Sequence, residues 1–150
     1  MNKLEKIGFN KAGFWFVDKR NIYEYLENFN VNFELDDEYK DKRLIYAFVS
    51  NKEIKYIGIC LSEKTTLNKR MKRYRSRVGA GTNKAIMIKI KKELETLNGV
   101  EIFVTEAKTE LKVMYSINNK IQDESQIYSE INIDYERALI TLFNPEWNKK

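Results

Sequence analysis

The sequence predicts an α+β domain, a small three-stranded antiparallel sheet flanked by helices and preceded by an N-terminal extension. Three observations predict it. Between Leu44 and Leu61, two apolar runs flank the turn-forming Ser50-Asn51-Lys52, the pattern of a β-hairpin. Val100, Ile102 and Val104 alternate with other residues and supply a third strand. Elsewhere apolar residues recur at helical spacing: Leu67, Met71, Tyr74 and Val78; Ile86, Ile90, Leu94 and Leu97; Tyr135, Leu139 and Leu142 or Phe143. A chain of 150 residues can bury one sizeable core and is short for two domains. The division expected is an extension, residues 1–43, packed on the same domain, and the domain proper, residues 44–150.

Within the extension, Gly13-Phe14-Trp15-Phe16-Val17 is the first plausible strand. Asn21 with Glu24 three residues later resembles a capping box, opening a short helix with Ile22, Leu26 and Phe29 on one face. Asp36-Asp37-Glu38 reads as a surface connection. In the hairpin, a loop centred on Asn51 sets Tyr46 opposite Tyr56. Tyr46, Phe48, Tyr56 and Gly58 then share one face, and Ile45, Ala47, Val49, Ile57 and Ile59 the other. A two-residue turn would split the tyrosines between faces.

Residues 66–77 form an amphipathic helix with a very basic outer surface, in which Arg70 and Tyr74 stand one turn apart. Gly79-Ala80-Gly81 breaks it, and Thr82 or Asn83 caps a second helix running to Leu97. Ile86, Ile88 and Ile90 also alternate as in a strand, but length and the cap favour helix. Residues 107–131 read as an irregular insertion. Asp134 is a good cap for the last helix, which places Glu136 in its first turn; Pro145 ends that helix and delivers Trp147-Asn148 in a tail, with Trp147 as its packing anchor.

Composition removes several kinds of chemistry. The chain has no histidine and one cysteine, Cys60, so His-bearing zinc sites, Ser-His and Cys-His dyads and an internal disulfide framework are excluded. Without a partner base, Cys60 reads as a small apolar core residue. Any proton transfer must use Tyr, Lys, Glu, Asp or water. No apolar stretch of signal-peptide type opens the chain, and no run approaches the roughly eighteen apolar residues of a membrane span. A cytoplasmic protein with no membrane association is expected.

The net charge of +5 is unevenly spread. Between Glu63 and Glu93 there is no acidic residue and there are eleven cations, while the remainder holds sixteen basic against twenty-two acidic residues. Clustered Lys and Arg bind polyanions by displacing counterions from phosphates. Lys69, Lys72, Arg73, Arg75, Arg77 and Lys84 are the candidate nucleic-acid contacts.

One ordered set of residues is more specific than this charge. Leu44-Ile45-Tyr46 and Tyr56-Ile57-Gly58 stand ten residues apart; Arg70 and Tyr74 follow on a helix, then Glu136, then Asn148 twelve residues later. Residues 44–148 thereby resemble the GIY-YIG nuclease family, which includes homing endonucleases, some restriction enzymes and the excision-repair incision subunit. Leu44 stands where the family has its first glycine, and the stretch from Gly58 to Arg70 is longer than usual. The resemblance implies a metal-dependent DNA endonuclease of the restriction-like or phage and mobile-element kind, leaving 5′-phosphate and 3′-hydroxyl ends.

It also implies roles. Tyr46, Tyr56, Arg70, Tyr74, Glu136 and Asn148 would be the catalytic set. Glu136 would bind one Mg²⁺ or Mn²⁺, and Arg70 would hold the phosphate with its planar fork. Arg73 and Arg75 are alternatives to Arg70, although Tyr74 four residues on favours Arg70. Tyr56 or Tyr46 would accept the proton of the attacking water, with Tyr74 orienting one of them or the phosphate. A phenol ordinarily titrates near about 10, so its surroundings must lower it by roughly 2 to 3 units for work near neutrality. The partner implied is double-stranded DNA, with a homodimer on the restriction-type reading. A non-catalytic nucleic-acid-binding module on the same fold is the competing expectation, carried by the charge segregation alone.

Overall fold

A computed structural model describes residues 2–18, 31–60, 64–76, 81–96, 98–106 and 124–149, with side chains in the last segment described from residue 132. In chain order these form β1 (Asn10–Val17), β2 (Val31–Leu35), a short α1 (Asp37–Lys40), β3 (Ile45–Ser50), β4 (Glu53–Ile59), α2 (Leu67–Ser76), α3 (Gly81–Glu95), β5 (Val100–Thr105) and α4 (Glu124–Phe143). Single 3-10 turns, Glu5–Ile7 and Glu146–Asn148, stand at either end. The helix expected from Asn21 to Phe29, the break at Gly79-Ala80, Leu97, and residues 107–123 of the irregular insertion expected over 107–131 lie outside the described residues; residues 124–131 are helical instead.

The class is α+β, but the sheet has five strands instead of three, all antiparallel, in the order β2-β1-β5-β3-β4. The two additional strands come from the first 43 residues. Val31, Phe33 and Leu35 alternate with Asn32 and Glu34, and this short run pairs with β1 from Gly13↔Leu35 to Val17↔Val31. β1 in turn pairs with β5, so the N-terminal segment continues the central sheet. At Gly13 an added Cβ would run into the backbone carbonyl of Glu34, which explains the glycine inside a strand.

Each face of the sheet carries its own apolar cluster. On one face α2 and α3 bury Leu67, Met71, Tyr74, Ile86, Met87 and Ile90 against Trp15, Tyr46, Phe48 and Ile102. The strand alternative for residues 86–90 is excluded by α3, in which Ile88 turns outward at 42% exposure. On the other face Leu4, Phe9, Phe103 and Leu139 pack against Ile45, Ala47, Val49 and Ile57, with Tyr135, Ile140 and Phe143 at the margin. Cys60 is 2% exposed and its thiol is pushed up to about 11 by burial, consistent with a core residue.

The last helix departs from expectation at its start. It begins at Glu124, so Asp134 lies in its interior and Glu136 is not in its first turn. Its end follows expectation: the helix stops at Phe143, Asn144 takes a left-handed φ of 48° while its N–H bonds the carbonyl of Ile140, and Pro145 follows. The tail then passes round the β4 edge, for α4 packs in one apolar cluster and Trp147, 7% exposed, in the other.

Candidate active site

The site is built on the β3–β4 hairpin, and its register differs from the one expected. The turn has two residues, Asn51 and Lys52, both with positive φ (51° and 63°), and pairs Ser50 with Glu53 and Val49 with Ile54. Continued unchanged, that register would have put Tyr46 and Tyr56 on opposite faces. A β-bulge restores them: Lys55 is an extra residue on β4, after which Phe48 pairs with Tyr56, Ala47 with Ile57 and Tyr46 with Gly58. Tyr46 is therefore opposite Gly58, not Tyr56, yet the expected four residues do share a face. The glycine now has a local reason, since a Cβ at Gly58 would occupy the space of the Tyr46 ring.

Helix α2 completes the group from above. The Tyr46 and Tyr74 hydroxyls share a 2.6 Å hydrogen bond, Tyr74 donates to the Tyr56 hydroxyl at 3.5 Å, and Arg70 Nε donates to the Tyr46 hydroxyl at 3.2 Å. The Arg70 guanidinium lies 4.9 Å from the centre of the Tyr74 ring. Each phenol has one proton and a guanidinium can only donate. With the Tyr74 proton given to Tyr56, Tyr46 must donate to Tyr74. The result is a directed chain, Arg70 to Tyr46 to Tyr74 to Tyr56, whose last member passes no proton on within it.

Burial grades along that chain. Tyr46 and Tyr74 are 0% exposed and Tyr56 9%. Burial, with the neighbouring phenols, pushes the Tyr46 hydroxyl well above the usual phenol range, and Arg70 only partly opposes this. Tyr74 is raised for the same reasons, burial first and Tyr56 second. The lowering by cationic surroundings expected from sequence is thus reversed at these two positions, because desolvation outweighs one guanidinium.

Glu136, half-buried on α4, has its carboxyl raised from 4.5 by burial, and the cations of Arg137 and Arg70 pull it down. The electrostatic reach of Arg70 thus extends from the phenols to this carboxylate. Among the described residues no group of three or more Cys, Asp and Glu side chains converges. A lone, partly desolvated carboxylate suits a hard dication that takes its other ligands from water and phosphate oxygens.

Asn148 is engaged with backbone. Its Nδ2 donates to the Ile57 carbonyl and its Oδ1 accepts the Ile57 N–H, both at 2.8 Å. β4 is an edge strand, so this amide pairs the open backbone of the residue between Tyr56 and Gly58.

The cations of α2 diverge. Lys69, Lys72 and Arg73 are exposed, as is Lys84 on α3, and Arg77 lies outside the described residues. Arg75, although exposed, turns to β2, where its Nη1 donates to Asn32 Oδ1 at 2.8 Å and its guanidinium lies 5.5 Å from the centre of the Phe33 ring. Sequence reading missed this brace between α2 and the N-terminal strands. The alternation of Val31, Phe33 and Leu35 was the available signal for β2.

No family model matches the chain, and no curated protein matches it in sequence. Among solved structures the same α+β fold is found in a mutant of bacteriophage T4 EndoII. The two are 21% identical and align with a TM-score of 0.60 over 97% of this chain and 95% of that one.

Proposed function

We propose that the protein is a metal-dependent endonuclease that hydrolyses phosphodiester bonds of double-stranded DNA, of the GIY-YIG kind and of phage or restriction-like type. The observation that carries this is the convergence of Tyr46, Tyr56, Tyr74 and Arg70, with Glu136 within the field of the same arginine. The likeness in fold to phage EndoII, over nearly the whole of both chains, supports it.

The geometry suggests a division of labour. Arg70 directs one N–H to Tyr46 and has terminal amino groups left for two phosphoryl oxygens. Tyr46 and Tyr74, buried and held neutral, position Arg70 and orient Tyr56. Tyr56, at the open end, acts as the base once its own hydroxyl proton has passed to solvent: the phenolate takes a proton from the water that attacks phosphorus. As the new P–O bond forms, the bond to the 3′ oxygen breaks and that oxygen takes a proton from water at the site, leaving a 5′-phosphate and a 3′-hydroxyl. Glu136 would hold Mg²⁺ or Mn²⁺, which supplies Lewis-acid stabilisation of the leaving oxygen and of phosphoryl charge. Asn148 acts through Ile57 and is a positioning residue. Lys69, Lys72, Arg73 and Lys84 provide phosphate contacts.

The test is plasmid nicking with Mg²⁺. Nicked and linear products from the parent, and none from Glu136→Ala, are expected. Equal cleavage by both proteins, or none by the parent on DNA of varied sequence, overturns the reading. Salt-sensitive binding that survives Glu136→Ala and chelation, without any cleavage, would mark a non-catalytic nucleic-acid-binding module instead.

A further inference from the structure

A cavity of about 740 Å³ opens at the turn end of the hairpin, between the N-terminal 3-10 turn, residues 49–55 and the end of α4. Its charged lining is Lys3, Lys6, Lys52, Lys55, Glu53 and Glu146. The two carboxylates both go to Lys55, at 2.9 and 3.5 Å. Among the described residues Lys3, Lys6 and Lys52 have no ion pair, and all three are exposed. With four lysines and two glutamates the cavity has a net charge of +2, and its three lysines outside any ion pair come from two separate chain segments.

Lys52 adds an independent observation. It is the second residue of a two-residue turn and has φ 63°, in the left-handed region. Turns of this kind favour glycine there, because a side chain is strained in that conformation. A lysine at a strained position, lining a cationic cavity, is an outlier that asks for a role.

We infer that this cavity, which has Val49, Ile54 and Phe143 of the isoleucine-face cluster in its lining, is a second phosphate-binding site, which grips the backbone of a DNA strand passing along α4 to Glu136. The inference rests on the nuclease reading for the identity of its ligand. Lys3, Lys6 and Lys52 lie outside the basic segment between Glu63 and Glu93, so they extend the DNA footprint to a second part of the surface. Glu136 and Phe143, which lines the cavity, are seven residues apart on α4, roughly 10 Å along the helix axis. That is about three nucleotide steps along a duplex.

The test is fluorescence anisotropy with a labelled DNA duplex in chelator, titrated at several salt concentrations. Removing one lysine that neutralises a phosphate should make the slope of log affinity against log salt shallower by about 0.9. Lys3→Gln/Lys6→Gln/Lys52→Gln is expected to take about 2 to 3 from that slope. A control, Lys11→Gln/Lys40→Gln/Lys42→Gln, removes three lysines that lie outside the basic segment and are already paired with Glu101, Asp37 and Glu106, and should take less than about 1. Equal changes in the two variants, or none in the first, overturn the proposal.

Lys52→Gly separates binding from folding. It should raise the melting temperature and still make the slope shallower by about 1; higher stability with an unchanged slope removes Lys52 from the site and overturns the proposal. If the parent binds DNA with this slope difference but cleaves nothing, the cavity assignment stands and the nuclease reading falls. If the parent binds no DNA, both fall.

Discussion

On one face of the β3–β4 hairpin, Ile45, Ala47 and Ile57 are at most 1% exposed and pack among Leu4, Phe9, Phe103 and Leu139. On the other face Tyr46 and Phe48 are buried as completely, beneath Met71 and Tyr74. Depth of burial does not distinguish the two faces. What differs is that the second carries hydroxyls into the interior, where they are satisfied by one another and by the Nε–H of the half-buried Arg70. Apolar burial of the first face stabilises the fold, and the second uses that rigidity to hold polar groups in a fixed order.

Substitutions should separate the two faces. The largest effect is expected from Glu136→Ala, at least about a 10³-fold loss of nicking with the melting temperature nearly unchanged, checked by plasmid assay and thermal melt. Next, Ile45→Ala should cost about 2–5 kcal/mol of stability while the folded fraction cleaves within about twofold of the parent. A denaturant titration with single-turnover kinetics reads both, and a large rate loss per folded molecule would erase the contrast between the faces. Arg70→Lys keeps the charge and loses the planar fork, and should lower cleavage by about 10²-fold. Tyr46→Phe should cost about 1–3 kcal/mol, because it leaves buried hydrogen bonds unmade at Tyr74 and Arg70.

The smallest effect is a pH dependence. Burial raises the Glu136 carboxyl above 4.5, so cleavage should fall on acidification with a midpoint above 4.5 that moves down as Mg²⁺ rises. The stability linkage has a fixed sign. Between 4.5 and its raised folded value, the folded state keeps a proton that the unfolded state has lost. The contribution of Glu136, fully present below 4.5, is therefore lost as pH rises through that window. Glu136→Gln should abolish this slope in metal-free melts.

Much of this was legible in the sequence because periodicity reports burial. The stripe Leu67, Met71 and Tyr74 is buried as its spacing requires, and Arg70 was singled out from its neighbours by Tyr74 one turn on. Other features have no local signature. Nothing in Ile54-Lys55 announces a bulge, because the extra residue is set by how two strands meet. Asp134 has the chemistry of a cap, yet the helix continues upstream of it, so a propensity was overridden by its context. β2 was missed although it alternates, since five residues give a weak signal. Asn148 was legible as a residue to watch, but its pairing with Ile57 depends on the tail turning round the sheet edge.

The bulge at Lys55 has a consequence for how such sites vary. The two tyrosines share a face through a parity, not a length: the turn shifts the pairing one way and the extra residue shifts it back. Deleting Lys55 would remove the bulge and still leave Phe48 opposite Tyr56 and Tyr46 opposite Gly58, so the phenol would keep its face. An extra residue that no bulge absorbs would instead turn the Tyr56 phenol into the isoleucine core. Spacing in this hairpin therefore varies with the gain or loss of a bulge, and a search for similar sites should allow the spacing of the tyrosines to change by one.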